Sequence, residues 1–144
     1  MKKYLGFSLL ELLVVISIIG ILVSIGTVAF TTAQKTSRDS RRRADMKAMQ
    51  DAFEQYHAET GTYELCETMG NYDPGSGPIM PGGLPADPRN SGDYVYNTAN
   101  GCNVSEYCVC AFLESSSGNA NQPVTPGTCT YATAGDYYCL TNLQ

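Results

Sequence analysis

Hydropathy divides the chain before any other property does. Leu12 to Phe30 is a run of 19 uncharged, mostly apolar residues, and the chain beyond Phe30 is polar. At about 1.5 Å per residue that run makes roughly 28 Å of helix, enough with its flanks to cross a hydrocarbon core of about 30 Å. Past the run the apolar positions thin out. Met46, Met49, Phe53 and Tyr56 recur at spacings of three, four and three, which is one face of an α-helix. Asp51 and Glu54, with Gln50 and Gln55, belong to the opposite, wet face. No proline interrupts the stretch, so the pattern predicts one helix from Phe7 to Glu59, stopped by Gly61. Residues 60–144 hold all seven prolines and eleven of the 14 glycines. Gly70 to Gly92 reads as a long loop, and four short strands are predicted at 93–97, 107–114, 129–132 and 136–141. Alternation puts Tyr107, Val109, Ala111 and Leu113 on one strand face and Cys108, Cys110 and Phe112 on the other. A sheet this small needs a helix against it, and the helical stripe needs cover. The expected fold is therefore α+β: a long N-terminal α-helix, hydrophobic then amphipathic, packed on a small antiparallel β-sheet.

Composition adds a compartment and a polarity. With 144 residues there is room for one compact domain plus extras. Eight of the nine cations lie at or before Lys47 and eleven of the 14 acids after Met49, so residues 1–47 sum to +5 and the rest to −10. That balance excludes a nucleic-acid binder acting over its whole surface. Cys66, Cys102, Cys108, Cys110, Cys129 and Cys139 all lie beyond the apolar run, which reads as an oxidised framework outside the cytoplasm with the pairing left open. A zinc site is the rival, but there is no Cys-x-x-Cys, and the single histidine, His57, lies upstream. Lys35, Arg38, Arg41, Arg42, Arg43 and Lys47 run against this topology, because the positive-inside rule places such a cluster in the cytoplasm. The cysteines, and the export-signal-like start at Lys2 and Lys3, outweigh it. The cluster reads first as a solvated helical face, then as a contact for acidic patches on adjacent subunits, and last as a DNA-binding stripe.

Lys2 and Lys3 before an apolar stretch look like the start of an export signal. The apolar run is longer than a usual signal core, and no Ala-x-Ala-like triplet closes it. Glu11 also sits one turn into the wider apolar stretch that begins at Phe7, between Leu10 and Leu12. A charged side chain at the centre of a membrane helix costs about 2.5–3.5 kcal/mol even on the lenient insertion scale, so Glu11 demands a partner.

The segment from Lys2 to Ile16, with Gly6, Phe7 and then Glu11, resembles the amino terminus of type IV pilins and pseudopilins. The resemblance implies that a prepilin peptidase cuts between Gly6 and Phe7 and N-methylates Phe7, and that Glu11 pairs with the amino terminus of a neighbouring subunit during assembly. The divisions expected are a leader at 1–6, a membrane and filament-core helix at 7–30, an amphipathic half at 31–60 and a loop-rich sheet domain at 61–144. Many members carry a proline within this helix; here only Gly20 and Gly26 weaken it, each by about 1 kcal/mol against alanine. The family's globular domain packs a helix on an antiparallel sheet, often with a disulfide-closed carboxyl-terminal region. Asp87-Pro88 followed by Tyr94-Val95-Tyr96 looks like the corresponding region of major type II secretion pseudopilins. Asp87, Asn90 and Asp93 offer oxygens to calcium, although Asp beside Pro and Gly is more often a turn former.

No catalytic constellation is legible: Ser115 to Gly118 is a loop without a base, His57 reads as a surface helix residue, and no cofactor or phosphate motif exists. Asn103-Val104-Ser105 matches a glycosylation sequon that is common by chance. The expected function is that of a pilus-like filament subunit, lodged in the cytoplasmic membrane and then extracellular, serving adhesion, motility or DNA uptake. Its partners, implied by the resemblance, are copies of itself, the prepilin peptidase, an assembly platform and ATPase, and membrane lipid before assembly. A pseudopilin of a secretion or competence system, a membrane-anchored binding module that never polymerises, and a secreted protein cleaved beyond residue 20 are the alternatives.

Overall fold

The computed structural model describes residues 6–115, 118–121 and 128–144. The chain forms two compact units, residues 1–35 and 36–144. A helix, α1 (Leu9–Thr60), runs through both, followed by α2 (Cys66–Gly70), β1 (Cys108–Phe112), β2 (Gly118–Ala120), β3 (Tyr131–Gly135) and β4 (Tyr137–Thr141). The long helix on a small antiparallel sheet, with disulfides in the carboxyl-terminal region, bears out the expected fold class.

In the first unit every residue from Gly6 to Lys35 is exposed, with Leu9 at 88% and Phe30 at 64%. The best 18-residue window of the helix has mean hydropathy 2.7. Its hydroxyls do not need water, because Ser17 donates to the Leu13 carbonyl (2.7 Å), Ser24 to Ile21 (2.8 Å) and Thr27 to Ser24 (3.0 Å). Side chains that bond back onto their own helix can sit in hydrocarbon without an unpaired donor. The helix begins at Leu9, two residues later than the hydropathy pattern predicts, because Ser8 takes the N-cap position.

The second unit has its core where the stripe predicts. Met46, Met49 and Phe53 are 0% exposed and Tyr56 6%, packed with Val109 and Ala111 from β1, with Tyr107 just before it, and with Tyr63, Cys66, Met69, Tyr96 and Cys102. Phe53 and Tyr107 meet edge to face, ring centres 5.2 Å apart. Cys108 and Cys110, on the other side of β1, join Ala120 and Cys139 in a second cluster. Gly61 stops α1, with φ at +80° and its N–H on the His57 carbonyl at 2.8 Å.

The sheet order is β1-β4-β2-β3, all pairs antiparallel. Of the wet helix face, Gln50 and Glu54 turn inward instead: Gln50 is buried with its amide donating to the Thr141 carbonyl at 2.7 Å, and Glu54 is half-buried. Three expectations about the strands also need correction. Residues 93–97 form no strand; only an isolated bridge joins Ser91 to Tyr94, because Asn90 (φ 45°) and Gly92 (φ 60°) turn the chain there. Instead the Asn97 side chain stands in for a strand at the β1 edge, donating to the Cys108 carbonyl (2.9 Å) and accepting from the Cys110 N–H (2.6 Å). β3 lies at 131–135, not 129–132, and the residue pattern does not predict β2 at all. The residues of β2 have little strand propensity, but the strands approach closely at two glycines: a Cβ on Gly118 would collide with the Tyr137 backbone of β4, and one on Gly135 with the Ala120 backbone of β2.

Candidate functional site

Gly6 and Phe7 precede α1 outside regular structure, and Phe7 is 87% exposed. Met1 to Leu5 of the expected leader lie outside the described residues. Behind them Ser8 and Glu11 close on each other: the Ser8 N–H donates to the Glu11 carboxylate at 2.9 Å, and the Glu11 N–H donates to the Ser8 hydroxyl at 3.2 Å. This is a capping box, which satisfies two helix-end donors and places a carboxylate at the positive end of the helix dipole. The lone acid of the apolar stem thus has a partner within its own chain. The Ser-x-x-Glu spacing that signals the box lies at the start of the apolar stretch, where Glu11 reads only as charge.

In the second unit the basic cluster is largely consumed. The Arg42 side chain is 0% exposed and donates to both Asp87 oxygens (2.6 and 3.1 Å), to Asp39 (2.7 Å) and to Glu114 (3.0 Å). Arg38 forks onto Glu114 with two bonds of 2.6 Å. Arg42 and Arg89 both lie over the Tyr94 ring, at 4.7 and 4.2 Å. Arg43 stacks on Tyr138 at 4.6 Å, and Lys47 pairs with Asp51 at 2.9 Å. Arg41 stands 3.9 Å from Asp45, while Lys35 is exposed. Burial alone would lower the Arg42 pKa, but the bonds to Asp87, Asp39 and Glu114 raise it above that of an ordinary arginine. The Arg38 fork holds the Glu114 carboxyl at about 2 against an ordinary 4.5, with burial opposing and Arg42 assisting. Asp39 is lowered too: burial works against its charge, and the Glu114 N–H, Ser115 and Arg42 outweigh it.

These contacts reassign the other candidates. Asp87 gives its oxygens to Arg42 and the Arg89 N–H, so the one buried carboxylate of the calcium candidates is already engaged, while Asn90 and Asp93 are exposed. Ser115 donates its hydroxyl to Asp39 at 2.6 Å; Ser116 and Ser117 lie outside the described residues. His57 stacks on Tyr63 with ring centres 4.3 Å apart. Glu54 collects the Tyr107 hydroxyl (2.7 Å), the Tyr63 hydroxyl (3.1 Å) and the Leu143 N–H (3.0 Å), tying the last residues to α1. Burial, then Glu54, pushes the Tyr63 phenol up to about 12. Asn103 accepts the Ser105 and Glu106 N–H groups at 2.8 and 2.9 Å, as a turn former does.

The cysteines pair as Cys66–Cys102, Cys108–Cys129 and Cys110–Cys139. The first clips α2 to the loop before β1. The other two lie together on the outer face of the sheet, all four sulfurs within 4.8 Å of one another.

Residues 1–27 match the family described as the prokaryotic N-terminal methylation motif, the signature of type IV pilins and pseudopilins. No curated protein and no solved structure matches the chain. The motif and the apolar helix fit a type IV pilin-like or pseudopilin protein, a class that is structural and not enzymatic. The motif implies processing by a prepilin peptidase and assembly into pilus-like filaments, and with the apolar helix it fits a membrane-anchored precursor of an extracellular filament.

Proposed function

We propose that the chain is a structural subunit of a type IV pilus-like surface filament, cut between Gly6 and Phe7, N-methylated on Phe7 and polymerised through its apolar stem. The observation that carries this reading is the methylation motif set on a helical stem, residues 9–35, whose apolar side chains are all exposed. An exposed stem has two refuges, lipid before assembly and other stems after it, and bundling buries it again outside the membrane. Cleavage after Gly6 creates an ammonium at Phe7, which methylation leaves charged. Glu11 then has two possible partners, its own Ser8 cap and the amine of a neighbouring copy. Exchange from the first to the second fixes the axial register, as a buried polar contact does in a coiled coil.

Glu11→Ala tests this. The variant is expected to be cleaved and inserted in the membrane, but to yield few or no surface filaments by electron microscopy; filaments in normal number would refute the pairing. A pseudopilin role is supported by one feature, the Asp87-Pro88 and Tyr94-Val95-Tyr96 block. Its side chains are built into the Arg42 and Asp45 contacts, with the Tyr96 hydroxyl on Asp45 at 2.8 Å. Mature protein confined to membranes, with none sheared from the cell surface, would select that role.

A further inference from the structure

We propose that Cys108, Cys110, Cys129 and Cys139 form a disulfide-exchange centre, in which an exported dithiol oxidoreductase, entering at Cys129, re-pairs two disulfides inside the folded second unit. Cys108 and Cys110 are two apart on β1 and so share a face. Cys139 of β4 lies directly opposite Cys110 in the register, and Cys129 precedes β3. The sulfurs of Cys108 and Cys110, which belong to different disulfides, are 3.5 Å apart, and all four sulfurs lie within 4.8 Å of one another. A thiolate released from one bond is therefore already beside the other, with no need to open the sheet. Accessibility is graded: Cys108 and Cys139 are 0% exposed and Cys110 1%, whereas Cys129 is half-buried. Attack from outside has one entrance among the four.

The steps balance without an oxidant or reductant being consumed. An external thiolate attacks the Cys129 sulfur; a mixed disulfide forms, the Cys108–Cys129 bond breaks, and Cys108 leaves as thiolate. Cys108 attacks Cys110, forming Cys108–Cys110 and releasing Cys139 as thiolate. Cys139 attacks Cys129 in the mixed disulfide, forming Cys129–Cys139 and expelling the external thiolate. Run backwards, the same sequence turns the consecutive pairing into the interleaved one that the structure holds. That direction has a use, since loop closure favours cysteines close in sequence when a chain first oxidises. Cys66–Cys102, on the other side of the sheet, takes no part.

The test is made on the full chain carrying Cys139→Ser, purified in detergent without reductant and treated with iodoacetamide at mildly alkaline pH. Exchange predicts that the freed Cys110 thiolate attacks Cys108 and expels Cys129. Peptide mapping then finds the label on Cys129, a Cys108–Cys110 link, and Cys66–Cys102 intact as a report of folding. A label on Cys110, or none, with Cys108–Cys129 retained, overturns the proposal. If that variant loses Cys66–Cys102, the wild-type chain decides: after one equivalent of dithiothreitol and an alkylating quench, labels on all four cysteines with Cys66 and Cys102 unlabelled support exchange. Labels confined to Cys108 and Cys129 overturn it.

Discussion

Residues 9–35 and residues 36–144 are stabilised by opposite means. The stem has its helical hydrogen bonds and its capping box, and every side chain is exposed. The second unit has a buried aromatic and methionine core, three disulfides and a fully buried arginine held by three acids. One region is finished as it stands and the other is not. In the proposed filament subunit the stem's apolar surface takes its free energy from lipid or from other copies, while the second unit has its own core and crosslinks.

The second unit is most vulnerable at Arg42. Arg42→Met leaves Asp39, Asp87 and Glu114 buried without their common cation, and removing one partner of a buried ionic network costs about 3–5 kcal/mol. Denaturant unfolding of the full chain in detergent, followed by near-ultraviolet circular dichroism, is expected to show that loss while the helical signal of the stem persists. Replacing Cys66 and Cys102 together by serine removes a crosslink spanning 36 residues and is expected to cost about 3–4 kcal/mol by the chain-entropy account. An unchanged midpoint would mean that the clip is redundant with the core.

Acid separates the two regions further. Glu114 and Asp39 have folded pKa values below their ordinary ones, so their contribution is present above the unfolded pKa and is lost as pH falls through the folded value. For Glu114 the window runs from 4.5 down to about 2. The thermal midpoint of the second unit is therefore expected to fall across that range, and Glu114→Gln to flatten the fall; a parallel profile in the variant would remove Glu114 from the account. The stem carries the mildest change. Val23→Ala, at a side chain 58% exposed, is expected to change unfolding of the second unit by less than about 0.5 kcal/mol.

Much of this is legible in the residues, and the remainder hides for identifiable reasons. The stripe Met46, Met49, Phe53 and Tyr56, the alternation along β1 and the stop at Gly61 are local periodicities, and the structure keeps them. Tyr94-Val95-Tyr96 has the composition of a strand, but its two rings serve Arg42 and Asp45. β2 is invisible in the sequence because it is short and held by tertiary pairing rather than propensity. The Arg42 lock reads as a basic face because two of its three acids lie 45 and 72 residues away, in segments with the patterns of a loop and a strand. The Asn97 amide, which bonds Cys108 through its nitrogen and Cys110 through its oxygen, and the Asn119 amide, which bonds Cys139 through both, look like ordinary turn residues until the neighbouring strand is in place.

In the proposed filament subunit, other copies complete the stem after cleavage at Gly6. The most direct measurement is mass spectrometry of the amino-terminal peptide of the native protein, taken from membranes and from material sheared off the cell surface. The account predicts a chain beginning at N-methylated Phe7 in the sheared fraction. An intact Met1, or a start beyond Phe30, would contradict it.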